Sequence, residues 1–184
     1  MAQDIEQSII DRFRRGDSSA MDVLYSQYSG YLTAVCARYI TDDDDLKDVL
    51  QEALIKIFTN IGNFEYRGRG TLKGWMSRIV VNEALSLLRR QSAAQKVRPD
   101  TDLPDLPDEE PQLEGITTET IINCIQQLPP GYRTVFNLYA IEGHSHQEIA
   151  QMLGIKADTS ASQYYKAKNM LARMLREVKR QQNQ

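Results

Sequence analysis

Almost every apolar segment of this 184-residue chain repeats at intervals of three and four, and no segment alternates apolar and polar residues as a strand would. That periodicity restricts the chain to an all-α fold. It predicts helices over residues 5–15, 18–40, 43–61, 71–91, 118–127, 130–142, 145–153 and 159–181. One stretch interrupts the pattern. Residues 92–117 hold Pro99, Pro104, Pro107 and Pro111 among acids, with almost no aromatic or β-branched side chains. Such a composition reads as a flexible linker. The expected organisation is therefore two small helical domains, 1–95 and 118–184, joined by an acidic, Pro-containing linker at 96–117. A chain of this length can give each domain its own core, though a marginal one.

Several helix boundaries are written in the sequence. In the second helix Met21, Leu24, Tyr25, Tyr28, Tyr31, Leu32, Val35 and Tyr39 form the apolar stripe, with Ser18 or Ser19 as its cap. In the third, Val49, Leu50, Ala53, Leu54, Ile57, Phe58 and Ile61 step by one and three, a clean amphipathic stripe. Aspartates at 42–45 sit at its N-terminus, where the helix dipole favours negative charge. Gly62 ends it. A loop through Phe64, Tyr66, Arg67 and Arg69 follows, and Thr71 is expected to cap the next helix.

Net charge is only −3, which argues weakly against nucleic acid, but its distribution is uneven. Residues 42–52 carry a net −5, 65–98 a net +6, 100–119 a net −8 and 156–184 a net +5. Two basic blocks separated by an acidic one suit two nucleic-acid contacts joined by a linker. Plain solvated surface would look the same.

The strongest local motif is near the C-terminus. Ser145-His-Gln-Glu148 is a capping box opening a short helix, with Ile149, Ala150 and Leu153 facing inward. Gly154 suits the left-handed position of the turn, and Asp158 or Thr159 would cap the following helix. The lengths are those of a DNA-binding helix-turn-helix. At 100° per residue Ser160, Tyr164, Ala167, Leu171 and Leu175 share the inward face. Ser162, Tyr165, Lys166, Asn169, Arg173 and Arg176 share the outward one, which offers donors and cations to base edges and phosphates. A helical hairpin with a solvated basic face is the plainer alternative.

Two further faces stand out. On the third helix Asp48, Gln51, Glu52, Ile55 and Thr59 cluster, so Ile55 points away from the apolar stripe. An apolar centre with a polar rim is the anatomy of a partner surface, although a lone exposed Ile is common. On the fourth helix Leu72, Met76, Val80, Ala84 and Leu87 form the buried stripe. Arg78, Asn82, Leu85 and Arg89 form another, with Trp75 at its edge. An Arg/Asn/Arg ridge beside an aromatic- and Arg-containing loop suits DNA with unstacked bases; for Trp75, core packing is the other option.

Other classes find little support. Cys36 and Cys124 lie far apart, and His144 and His146 lie near neither, so no metal-ligand spacing appears. No paired carboxylates, nucleophile–base set or phosphate loop suggests an enzyme; Gly68-Arg69-Gly70 is too short for the last. No cofactor or metal is expected. No apolar run reaches the ~18 residues of a membrane span, the N-terminus has no signal-peptide pattern, and a cytoplasmic location is expected. A helix-turn-helix regulator with an N-terminal sensor or dimerisation domain is a rival, but it would not need the Asp48/Ile55 patch or the Arg78/Asn82 ridge.

At this point two blocks resemble a known family. Asp45-Leu-Lys-Asp-Val-Leu-Gln-Glu-Ala-Leu-Ile-Lys-Ile-Phe58, Asn60-Ile-Gly-Asn-Phe64, Gly74-Trp-Met-Ser-Arg-Ile-Val-Val-Asn82 and Leu88-Arg-Arg90 resemble region 2 of extracytoplasmic-function (ECF) sigma factors, within the sigma-70 family. Leu128-Pro-Pro-Gly-Tyr-Arg-Thr-Val-Phe136, Glu142-Gly143, Gln147-Glu-Ile-Ala-Gln-Met-Leu-Gly-Ile155 and Ser162-Gln-Tyr-Tyr-Lys-Ala-Lys168 resemble region 4. The resemblance implies a dissociable subunit of RNA polymerase that directs promoter-specific initiation. It implies core-polymerase docking by Asp48, Gln51, Glu52, Ile55 and Lys56 on the β′ coiled coil, with a further contact on the β flap. It implies −10 recognition and melting by Phe64, Tyr66, Arg67, Arg69, Lys73, Trp75, Arg78, Asn82 and Arg89. It implies −35 recognition by Thr159, Ser162, Gln163, Tyr165, Lys166, Asn169 and Arg173. An anti-sigma factor is an expected partner, and the acidic linker resembles one that threads the polymerase's RNA exit path. Where the family often has Gly before the capping Thr and Lys or Arg two residues after it, this chain has Asp158 and Ala161, so promoter preference is expected to differ.

Overall fold

In the computed structural model, residues 4–94 and 115–182 are described; the acidic linker lies largely outside them. The chain divides into two compact units, Met1–Gln91 and Ser92–Gln184. Every regular element among the described residues is helical. No helix among them is long and apolar enough to cross a membrane.

The first unit holds α1 (Ile5–Arg14), α2 (Ala20–Ala37), α3 (Asp43–Asn60), a 3-10 turn at Ile61–Asn63, and α4 (Thr71–Ala94). Ile9 and Ile10 of α1, Leu24 and Leu32 of α2, Ala53 and Ile57 of α3, and Leu72, Met76 and Val80 of α4 are buried in its core. Asp42 caps α3 by accepting from the backbone N–H groups of Asp44 and Asp45, each at 3.0 Å. Orphan donors of the first turn are satisfied this way, and the further aspartates add favourable charge at the positive end of the dipole.

The second unit holds α5 (Thr118–Gln126), α6 (Pro130–Phe136) continuing as a π turn over Asn137–Ile141, α7 (His146–Leu153) and α8 (Ala157–Gln182). Cys124, Ile125, Leu128, Tyr132, Ala167, Leu171 and Leu175 form its core. Arg133 is buried and donates to the Gln126 carbonyl at 2.7 Å, tying α6 back to the end of α5. The helix-turn-helix has the expected local chemistry. The Ser145 Oγ accepts from the Glu148 N–H, and the Glu148 carboxylate accepts from the Ser145 N–H at 2.8 Å. The Ser145 N–H and the Ser145 hydroxyl, which also donates to this carboxylate at 2.8 Å, hold the Glu148 carboxyl below its ordinary range. Gly154 sits at φ 68°, a left-handed conformation that costs glycine nothing.

Several expectations are corrected. Met21, Tyr25 and Tyr31 are 44%, 54% and 36% exposed, so the buried stripe of α2 is narrower than the periodicity suggests. Ser19 offers α2 no side-chain cap; instead its N–H and hydroxyl both donate to Asp17. Neither Asp158 nor Thr159 caps α8, which begins at Ala157 and takes both into its first turn. Leu85 is buried, so the outward stripe of α4 keeps Arg78, Asn82 and Arg89 without it.

Candidate nucleic-acid and partner interfaces

The first candidate surface lies on α3. Asp48, Gln51 and Glu52 are exposed, and Ile55 is 52% exposed among them. The opposite side of the same helix buries Val49, Ala53 and Ile57, so the helix has one face spent on folding and one left outward. Lys56 stands at the edge of this face. Its ammonium pairs with Glu83 of α4 at 2.6 Å, tying α3 to α4 as well as adding charge to the rim.

The second surface is built from the 64–70 loop and the start of α4. Phe64 and Trp75 pack with ring centroids 5.1 Å apart. Around them lies an open pocket of about 570 Å³, lined by Asn63, Phe64, Glu65, Arg67, Gly70, Thr71, Gly74, Trp75 and Arg78. Two half-buried aromatics with two exposed cations at the rim provide a stacking platform and phosphate ligands. Arg67 donates to Glu65 at 2.7 Å, and both side chains are three-quarters exposed. The bond lowers the Glu65 carboxyl's pKa. Asn82 and Arg89 continue the exposed ridge along α4, and Arg69 is exposed on the loop.

Two further sequence-derived residues do not line the pocket. The Lys73 ammonium sits 3.9 Å from the centre of the Tyr31 ring, whose hydroxyl bonds Ser77 at 2.7 Å. The ammonium of this α4 residue therefore lies over α2, and Lys73 is not among the residues lining the pocket. Tyr66 gives its hydroxyl to Asp4 at 2.5 Å, a bond that pushes the phenol up to about 12 and the Asp4 carboxyl down.

Sequence reasoning missed what holds this loop. Glu6 of α1 is 4% exposed. Its carboxylate accepts from the N–H groups of Gly70 at 2.9 Å and of Leu72 and Lys73 at 3.3 Å, and from the Tyr28 hydroxyl at 3.4 Å. Glu6, not Thr71, satisfies the orphan donors at the start of α4; the Thr71 hydroxyl donates to the Gly68 carbonyl. Burial, with the Glu6 charge adding to it, pushes the Tyr28 phenol up to about 12. At the other end of α1, Arg14 donates to the carbonyls of Gly62 at 3.2 Å and Phe64 at 2.9 Å. No local signal marks Glu6, because its backbone partners lie more than sixty residues away.

The third surface is on α8. Ser162, Tyr165 and Arg173 are exposed, and Thr159 and Lys166 are half-buried. Asn169 is 1% exposed and is removed from the outward face. The helix receives α5, α6 and α7 along its length, so it buries more than one stripe. Gln163 lies against the first turn of α6, where its amide leaves only 3.4 Å to a Cβ at Gly131. Inside the turn, Tyr164 packs on Tyr139 at 4.4 Å. Tyr139 stacks on His146 at 4.3 Å, and His146 Nδ1 bonds the buried Ser160 hydroxyl at 3.0 Å. This cluster fixes α7 against α8.

A helical unit presenting an aromatic, cationic loop and a second unit presenting a helix-turn-helix define a nucleic-acid-binding transcription protein. Comparison with known proteins identifies which kind. The sigma-70 region 2 family profile matches residues 24–94, and the sigma-70 region 4 profile matches residues 118–171. The RNA polymerase sigma-H factor of Pseudomonas aeruginosa is 29% identical over 195 residues, covering 98% of this chain and 99% of that one. The ECF RNA polymerase sigma-E factor of Haemophilus influenzae is 28% identical over 178 residues, covering 90% and 93%. The sigma factor RpoE of Bartonella quintana, solved with the anti-sigma factor NepR, shares the fold. Its TM-score is 0.50 at 20% identity, covering 86% of this chain and 98% of that one. The chain belongs to the ECF subfamily of sigma-70-type sigma factors and directs promoter-specific transcription initiation by RNA polymerase.

Proposed function

We propose that the three surfaces divide the work of initiation. The exposed Asp48/Gln51/Glu52/Ile55 face of α3 docks on core polymerase at the β′ coiled coil, with Lys56 at its rim. The loop pocket, with Phe64, Trp75, Arg67 and Arg78, opens and reads the −10 element; Tyr66, Arg69, Asn82 and Arg89 extend that contact. The outward side of α8, through Ser162, Tyr165, Lys166 and Arg173 with Thr159 in the first turn, reads the −35 duplex in the major groove. Asn169, Gln163 and Lys73 act as structural residues rather than direct contacts. The remaining partners are the β flap and an anti-sigma factor, and the site of action is the cytoplasm. The domains of this reading run over residues 1–95 and 118–184, with 96–117 as the connection between them; the family matches at 24–94 and 118–171 fall inside those limits.

The observation that carries this reading is the open pocket lined by Phe64 and Trp75 with Arg67 and Arg78 at its rim. Extracting a base from a stack costs a few kcal/mol, which such a site must offset. Stacking on an aromatic side chain returns about 1–3 kcal/mol per base, and the cations hold the flanking phosphates. Polymerase would fix the spacing of the two DNA contacts, and linked contacts gain avidity without new interactions.

The test uses holoenzyme and a single-stranded non-template −10 oligonucleotide carrying 2-aminopurine at the flipped position. Trp75→Ala is expected to weaken binding by about 1–3 kcal/mol and to abolish the fluorescence change. A variant that binds and reports like the parent would place base capture elsewhere.

A further inference from the structure

Helix α1 lies outside both family matches, the first of which begins at residue 24. Yet it makes a series of polar contacts with the 62–73 segment. The contacts come from opposite ends of one ten-residue helix. Arg14, in its last turn, grips the Gly62 and Phe64 carbonyls. Asp4, its cap, takes the Tyr66 hydroxyl, and Glu6, in its first turn, takes the N–H groups of Gly70, Leu72 and Lys73. A helix of this length spans about 15 Å, so the loop is held at two stations along a rigid rod. Phe13 of α1 stacks on Phe58 of α3 with centroids 6.0 Å apart, anchoring the rod to the docking helix.

We propose that α1 is a brace that sets the loop backbone before DNA arrives, and that Arg14 is a positioning residue for the base-accepting pocket. This rests on the reading of the Phe64/Trp75 pocket as the −10 site. The physical reason is pre-organisation. Phe64 forms one wall of the pocket, and Gly62 precedes it by two residues. With both carbonyls tied to one guanidinium, little backbone freedom remains to be lost when a base enters. Two of its contacts near the pocket are backbone atoms, so the brace carries no sequence information of its own. It acts through the residues it holds.

Glu6 is too deeply buried for a clean test, since its removal orphans four donors. Arg14 is exposed, so its replacement tests the brace without attacking the core. Holoenzyme carrying Arg14→Ala should bind the 2-aminopurine −10 oligonucleotide about tenfold more weakly, the scale of losing charge-assisted hydrogen bonds. Arg14→Lys, with charge but no planar fork, should recover only part of that loss. Core-polymerase affinity and the thermal melting profile should be those of the parent.

The salt dependence separates a brace from a phosphate contact. A direct phosphate contact removed from a single strand lowers the log–log salt slope by about 0.7. Positioning leaves the slope unchanged, and a slope reduced by that amount in Arg14→Ala would overturn the proposal. So would parent-like binding by Arg14→Ala when Trp75→Ala is impaired. If Trp75→Ala also binds normally, the pocket reading itself fails and the brace falls with it.

Discussion

Replacing Ile55 with glutamate should uncouple this protein from core polymerase while leaving its fold intact. Ile55 is 52% exposed on α3, so about half of its side chain remains to be covered by a partner. Fully burying an isoleucine is worth about 1.5–3 kcal/mol, and the uncovered half therefore offers roughly 0.8–1.5 kcal/mol. Ile55→Ala should weaken core binding by roughly four- to twelvefold. Glutamate adds a second penalty, because an unpaired charge must be desolvated at the centre of the patch. Glu52 one turn back and Asp48 two turns back make the like-charge environment worse. The combined loss should reach about 3 kcal/mol, or roughly a hundredfold or more. Stability should hardly change, since exposed substitutions stay within about 0.5 kcal/mol and glutamate is a better helix former than isoleucine. The assay is a fluorescence anisotropy titration of labelled protein with core polymerase, paired with thermal melting followed by circular dichroism. Parent-like affinity in a folded Ile55→Glu variant would refute the assignment of this face.

Three other perturbations follow from the geometry. Glu65→Gln releases Arg67 from its exposed ion pair, so low-salt binding of the single-stranded −10 oligonucleotide should tighten, by at most about fivefold; weaker binding would mean Glu65 itself contacts DNA. Gly154→Ala meets no neighbouring atom but must adopt φ 68°, so it should cost about 1–2 kcal/mol and lower the melting temperature of the helix-turn-helix unit; an unchanged melting profile would contradict the assigned turn. Burial pushes the Cys36 thiol up to about 12 and raises that of Cys124. Neither should react with iodoacetamide at pH 8 until the protein is unfolded. For Cys36 the sign follows from its raised folded pKa. The unfolded thiol ionises near its ordinary value of about 8.5 while the folded one stays protonated, so stability is full below that pH and falls above it.

Much of the fold was legible because it rests on local chemistry. The α3 stripe, the Ser145/Glu148 capping box and Gly154 each depend on residues within a few positions of one another, where periodicity and capping rules apply. The exposure of Ile55 followed from the same phase argument. The errors arise where distant elements decide. The phase of one helix puts Asn169 outward, yet it is buried, because α8 is packed by more than one helix. Leu85 is buried for the same kind of reason. The family resemblance implies a −10 contact for Lys73, whose ammonium in the fold meets Tyr31, forty-two positions earlier. Nothing in the residues around Glu6 singles it out. Its role depends on α4 starting against α1, which no window of sequence contains.

The most direct test of the central claim is in vitro transcription with purified core polymerase and a library of promoter sequences. The account predicts initiation from a narrow set of promoters sharing a −35 and a −10 element. That activity should be lost in Ile55→Glu and reduced in Trp75→Ala. No promoter-specific initiation, with tight binding by the free protein to a palindromic duplex instead, would contradict it.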